Sequence, residues 1–295
     1  LYCGASIDFV DVDPCTYNFS TSELERKLAA ADRSGKLPKA LILVHFAGQP
    51  CDLAGIAASA RRYGITLIED ASHALGASYL NRPIGSCEYS DATVFSFFAT
   101  KSIATGEGGM VLTNRERVAR NVKLLRAHGI VHDTSALEPW RYEQVGLGFN
   151  YRMTDIQAAL GASQLKKLDG FLARRRQLAA RYCEGLIDLP LQLPYRDSIS
   201  TPAWHLYPIM ITGEARAARR RALYFALREH GIRSQVHYIP IHTQPYYRDL
   251  GFRAGDFPAA EYYYEGALSL PLFVDLAESD QDRVIEIVRA TLIER

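Results

Sequence analysis

At 295 residues the chain is long enough for one large α/β domain or for a large domain with a smaller companion. Hydrophobic residues make up 48% and charged residues 23%, the balance of a globular chain and not of a disordered one. With 34 basic against 33 acidic residues the net charge is +1, which supplies no bulk attraction to nucleic acid or to a membrane surface. No apolar run approaches the roughly 18 residues a membrane span needs, and no signal-peptide pattern is present. Five cysteines (Cys3, Cys15, Cys51, Cys87 and Cys183) form no Cys-x-x-Cys pair, which argues against a metal site or a redox pair. They read as reduced thiols of a cytoplasmic protein.

The opening Leu1-Tyr2-Cys3-Gly4 runs straight into IDFVDV, a strand pattern over Ile7–Val12. It reads as a chain picked up part-way through a domain, with the N-terminal part of that domain missing. Ser20-Thr21-Ser22-Glu23 is a capping box opening a helix to about Ala31. The continuous apolar run Ala40–His45 predicts a strand buried on both faces of a parallel sheet. Asp52 caps a helix to about Tyr63, and strands follow over Ile65–Asp70, Ala92–Phe97 and Met110–Thr113. Such alternation predicts a mostly parallel sheet with crossover helices, whose ligands collect at the carboxyl ends of the strands.

A helix is expected from Arg115 to about His128, then a loop rich in Trp, Tyr and Gly (Pro139–Met153). Thr154-Asp155-Ile156-Gln157 is a second capping box, with a helix to about Leu168, and another helix covers Phe171–Glu184. After the proline-containing stretch Asp188–Pro202 the pattern reads strand (Trp204–Ile211), helix (Ala215–His230), strand (Ser234–His237), a loop rich in proline and tyrosine, and a final helix (Ser279–Ile293). The basic run Arg216–Arg221, interleaved with alanine, reads as a solvated helix face. These elements divide near Gly170 into a large domain over 1–170 and a smaller α+β domain over 171–295.

The chemistry is concentrated between Ile65 and Gly109. Asp70 closes an apolar run, Lys101 follows 31 residues later, Ser96 stands just ahead of the lysine, and Gly106, Gly108 and Gly109 form a turn just after it. The set suits pyridoxal phosphate. A lysine can hold the cofactor as a Schiff base, and a carboxylate can keep its ring nitrogen protonated. A serine with nearby backbone N–H groups can hold its phosphate. Alternation along the strand turns Glu69 to the other face and leaves Asp70 as the ring partner.

The motifs EDASHALGA, FSFFATK, TGEGG and FNYRMTDIQAALG, in this order over about two-thirds of the chain, resemble the DegT-type sugar aminotransferases. That resemblance implies the aspartate-aminotransferase (type I) fold, pyridoxal phosphate as cofactor, and a homodimer with shared active sites. Residue by residue it implies that Lys101 is the Schiff-base lysine, Asp70 the pyridinium partner and Ser96 a phosphate contact. It further implies that His73 lies on the O3′ side of the ring and that Asn150 reaches the partner subunit's phosphate, with Arg152 orienting that loop. Glu107 is a candidate substrate contact. The family's first phosphate-binding turn and ring-stacking aromatic have no counterpart here and are expected before Leu1.

QVHYIPIHTQPYYR (Gln235–Arg248) is most similar to the branch of the family that serves pseudaminic acid synthesis. That similarity implies transfer of an amino group from glutamate to C4 of a UDP-linked 4-keto-6-deoxy N-acetylhexosamine. His237, Tyr238 and His242 then border the sugar or nucleotide, although a proline-rich loop packed by tyrosines explains the same residues. Rival readings are a truncated, inactive homologue and an aminotransferase-like ligand-sensing domain. A sugar dehydratase, with histidine in place of the lysine, is opposed by Lys101.

Overall fold

The computed structural model describes residues 1–132, 138 and 140–293. Pro139, at the head of the expected Trp-, Tyr- and Gly-rich loop, lies outside them. The first expected strand does not form. Phe9 N and Val12 N donate to the carboxylates of Asp8 and Asp11, both at 2.8 Å, so acidic side chains take donors a ladder needs. Only a single bridge, Val12 to Phe19, remains of it.

α1 (Thr21–Arg33) starts at Ser20, whose Oγ accepts from Glu23 N at 3.3 Å. The reciprocal half of the box is not made, because Ser20 N already donates to Asp11 O and Glu23 turns to Arg26. β1 (Ala40–Val44) is followed by α2 (Leu53–Arg62), capped by Asp52 on Gly55 N, and then by β2 (Thr66–Asp70). A small hairpin, β3 (Ser78–Tyr79) and β4 (Arg82–Pro83), leads to β5 (Ala92–Ser96) and β6 (Gly109–Leu112). The sheet order is β1-β2-β5-β6, with β1, β2 and β5 parallel and β6 antiparallel at the edge. This brings the carboxyl ends of β1, β2 and β5 side by side.

Leu24 and Leu28 of α1 and Ile56 of α2 bury Leu41, Leu43 and Leu67 on one face of this sheet. The other face departs from expectation. Exposure alternates along β1, with Ile42 and Val44 open, because no described element covers that side.

α3 (Glu116–Leu125), the pair β7 (Ile130–His132) and β8 (Tyr142–Gln144), and α4 (Asp155–Leu165) come next. None of them contains a buried residue. α5 (Leu168–Leu186) then gives Leu172 to the first core and Leu178, Tyr182 and Leu186 to a second. Beyond it lie β9 (Leu191–Gln192), β10 (Ser200–Thr201), β11 (Tyr207–Ile211) and α6 (Arg216–Glu229). α7 (Pro245–Asp249), α8 (Pro258–Gly266), β12 (Ala267–Leu270) and α9 (Glu278–Ile293) complete the chain. β11 lies between β9 and β12, antiparallel to both, under α5, α6 and α9. β11 starts three residues later than expected because Trp204 sits at φ 51°, outside the extended region. The expected strand over Ser234–His237 shrinks to one bridge, Gln235 to Ser269, and Pro240 beyond it has no N–H to extend the ladder. Among the described residues, no helix is long and apolar enough to cross a membrane.

One buried cluster ties the parallel strands together. Glu69 accepts from Thr93 Oγ1 at 3.1 Å and from Ser90 Oγ, and bonds His45 Nε2 at 2.8 Å. Burial pushes its pKa up, but these hydrogen bonds outweigh that and hold it below the ordinary 4.5. A depressed carboxylate pKa stabilises the fold above about pH 4.5, an effect lost as pH falls through the folded value. Glu69→Ala is expected to cost about 2–3 kcal/mol at pH 7 in urea unfolding, since it leaves the buried His45 Nε2–H and the Ser90 and Thr93 hydroxyls without their acceptor. A cost below about 1 kcal/mol, the scale of an exposed pair, would contradict this.

Candidate active site

β2 and β5 deliver the central residues. Asp70 ends β2 with its Oδ1 accepting from Ser72 N at 3.0 Å, while Glu69 beside it faces the other way into the core. Ser96 ends β5, its Oγ accepting from Phe98 N at 3.3 Å. The chain then leaves the sheet, carries Lys101, and returns through Thr105 N to Phe97 O and Phe97 N to Gly108 O, both at 2.8 Å.

α4 braces this loop. Thr154 and Gln157 form the full capping box, and Gln157 Nε2 also donates to Glu107 O at 2.9 Å. Gln164 accepts from Ala104 N at 3.2 Å. Gly161 lets the helix approach, since a Cβ there would lie 2.9 Å from Thr105 Cγ2. The TGEGG and TDIQAALG motifs are thus one packing unit around the loop that bears Lys101.

Lys101 sits part-buried amid a set of coupled groups. Burial lowers its pKa below the ordinary 10.5, against the opposing pull of the Asp70 carboxylate. His73 is buried, and burial followed by the Lys101 charge lowers its pKa to about 4. His237 is likewise lowered by burial and then by Lys101, and its Nδ1 bonds Ser269 Oγ at 2.9 Å. Burial and the Asp70 carboxylate push the Tyr238 hydroxyl up. Lys101, Asp70, His73, His237 and Tyr238, drawn from three stretches of sequence, thus lie near enough for their charges to be felt by one another.

Other expected residues stand apart. Glu107 is exposed, and its backbone carbonyl takes the bonds from Thr105 and Gln157. Asn150 is exposed in the loop before α4, its backbone bridged to Ala127. His242 is not brought to the set. It is buried, its Nε2 bonds Glu261 Oε1 at 2.7 Å, and its ring lies 4.8 Å from that of Phe257, a packing role that joins the 241–243 turn to α8.

The structure adds residues that sequence reading missed. His205 is buried with its ring 4.3 Å from that of His73, and Arg175 Nη1 donates to Trp204 O and Leu272 O, each at 3.0 Å. The only signal was a Trp-His pair ahead of an apolar run, a pattern with no chemistry of its own.

Across the described chain, residues 1–289 match the DegT/DnrJ/EryC1/StrS aminotransferase family. The chain belongs to that family. It is 40% identical over 296 residues to the spore coat polysaccharide biosynthesis protein SpsC of Bacillus subtilis, covering 98% of this chain and 74% of SpsC. Helicobacter pylori PseC, an aminotransferase of pseudaminic acid biosynthesis, superposes with a TM-score of 0.90 at 28% identity, over all of this chain and 76% of that one. Spr1654 of Streptococcus pneumoniae, assigned as a sugar aminotransferase and solved in its PMP form, gives a TM-score of 0.91 at 27% identity, over 99% of this chain and 77% of that one. The fold is that of the type I pyridoxal phosphate enzymes, and the chain is a pyridoxal-phosphate-dependent sugar aminotransferase. The residues present fit the cofactor: a lysine with a lowered pKa, a strand-end carboxylate, and a buried imidazole whose Nδ1 has no partner among the described residues.

The two low histidine pKa values have a consequence for this family member. Unfolding restores each ring to about 6.5, so between that value and the folded one, about 4 for His73 and about 2 for His205, the unfolded chain binds more protons. Stability is full above pH 6.5 and falls below it. The expected loss between pH 6.5 and 5, measured by urea unfolding without cofactor, approaches about 1.4 kcal/mol per pH unit for each ring. Replacing both rings by phenylalanine is expected to flatten the slope; an unchanged slope would assign it elsewhere.

Proposed function

We propose that this aminotransferase moves the amino group of glutamate to C4 of a UDP-linked 4-keto-6-deoxy N-acetylhexosamine, with Lys101 and Asp70 as its central residues. The observation that carries the assignment of residues is that Asp70 ends β2 while Ser96 ends the neighbouring β5, whose following loop carries Lys101 back to Phe97. When bound, pyridoxal phosphate supplies an electron sink that lets the bond between hydrogen and the nitrogen-bearing carbon break. Lys101 Nζ would hold the cofactor, and the same amine would move a proton at the α-carbon of the donor and at C4 of the sugar. Its lowered pKa suits that task, since a neutral amine is needed to accept the proton.

The Asp70 carboxylate would keep the ring nitrogen protonated, and Ser96 Oγ with backbone N–H groups would hold the phosphate. His73 would lie on the ring's oxygen side. His237 and Tyr238, and across the loop Glu107, border the sugar or nucleotide. His242, held by Glu261, takes no part in this reading.

A second copy of the chain completes the site. Trp140 at 75% exposure, Leu147 at 90% and Ile156 at 84% surround the loop of Asn150 with uncovered apolar surface, a patch that suits a subunit contact. In that arrangement Asn150 reaches the partner subunit's phosphate. We also read the two cores as a large unit over 1–170 and a small one over 171–295, meeting along α5. The names of SpsC and PseC support a place in cell-surface sugar synthesis, with the enzyme in the cytoplasm.

The test is a coupled assay with glutamate and the UDP-linked keto sugar, following 2-oxoglutarate and the amino sugar by mass spectrometry. Lys101→Ala is expected to abolish turnover with the fold retained, and Asp70→Ala to weaken cofactor binding and lower kcat by about 100-fold or more. Turnover in the lysine variant would refute its role, and failure of this sugar with turnover of another would refute the substrate alone.

A further inference from the structure

His205 has no part in the functional reading above, yet it is held on every side. Its backbone N donates to Ala47 O at 2.9 Å, and its carbonyl accepts from Arg175 Nη1 at 3.3 Å. Gly48, at φ 91°, makes the junction possible: a Cβ there would lie 2.8 Å from His73 O and 3.1 Å from His205 N. One close-packed junction thus fixes the backbones of both histidines.

Their rings lie 4.3 Å apart at 32°, with the Phe46 ring 6.5 Å from that of His73. Nδ1 of each ring is buried without a hydrogen-bond partner among the described residues. The charged and titratable groups facing His73 are Lys101, Asp70, His237 and His205; those facing His205 are His73, Lys101, Arg175 and His237. Two protonated imidazoles at this separation would repel each other, and Lys101 and Arg175 add to that cost. Two neutral rings stack without penalty.

We propose that His205 is a positioning residue, a neutral platform that fixes the plane of His73 and, through it, the edge His73 offers to the pyridoxal ring. The proposal rests on His73 being a cofactor contact. His205 itself touches no reacting atom.

Two measurements on His205→Ala, His205→Phe and His73→Ala test it: the Kd of pyridoxal phosphate by absorbance titration, and the pH titration of the His73 ring by NMR without cofactor. His205→Ala is expected to weaken cofactor binding about 10-fold and to raise the His73 pKa from about 4 toward 6.5 as water enters. His205→Phe, which puts back a flat ring without nitrogens, is expected to restore both. If His205→Phe fails as His205→Ala does, the nitrogen and not the platform matters, and the proposal falls. It falls equally if His205→Ala changes neither quantity. Should His73→Ala bind cofactor as the parent does, His73 is not a cofactor contact, and the cofactor half of the proposal falls with it. The His73 titration then still decides the platform separately.

Discussion

The arrangement depends on one buried carboxylate. Glu69 lies in the middle of the parallel strands and binds His45 at the end of β1, Ser90 ahead of β5 and Thr93 within it. Because successive side chains of a strand face opposite ways, locking Glu69 into the core obliges Asp70 to face outward at the carboxyl edge. His45 extends the same lock, since its Nδ1 accepts from Cys51 N at 3.0 Å and so fixes the turn carrying Phe46, Ala47 and Gly48. A hydrogen-bonded carboxylate in the core thus sets the direction of a second carboxylate outside it.

From that edge outward, the site is built by loops tied to rigid neighbours. The Lys101 loop closes on Phe97 and is clamped by Gln157 and Gln164 of α4. The Gly48 turn draws His73 and the 203–206 segment together, with Ala203 N donating to Gly48 O at 2.9 Å. Arg175 of α5 then ties that segment to Leu272 of the second core. The candidate site therefore lies where both cores reach, which agrees with the sequence separation between Asp70, Lys101 and His237.

Much of this was legible in the chain. The Asp70–Lys101 spacing, the Ser96 position and the Thr154 capping box all carry local signals, because strand ends and helix starts are written in a few adjacent residues. The Ile7–Val12 strand misled because aspartates within it supply competing acceptors to their neighbours' N–H groups, a preference that hydropathy does not register. Among the described residues of this chain only one face of β1 is covered, since an apolar run reports affinity for cover and not which element provides it. His205 was invisible for a different reason. Its meaning comes from contact with His73, 132 residues away in sequence, and no local pattern encodes such a meeting. His242 shows a different case, a histidine in a suggestive motif that bonds Glu261 and packs against Phe257.

The central claim is that Lys101 is the residue that binds the cofactor covalently. It is tested most directly by reducing the pyridoxal-phosphate-loaded protein with borohydride, digesting it, and locating the phosphopyridoxyl group by mass spectrometry. The expected result is a single modified peptide with the label on Lys101, lost when glutamate is added before reduction. A label on another lysine, or reduction that leaves no label on the folded, loaded protein, would contradict the account.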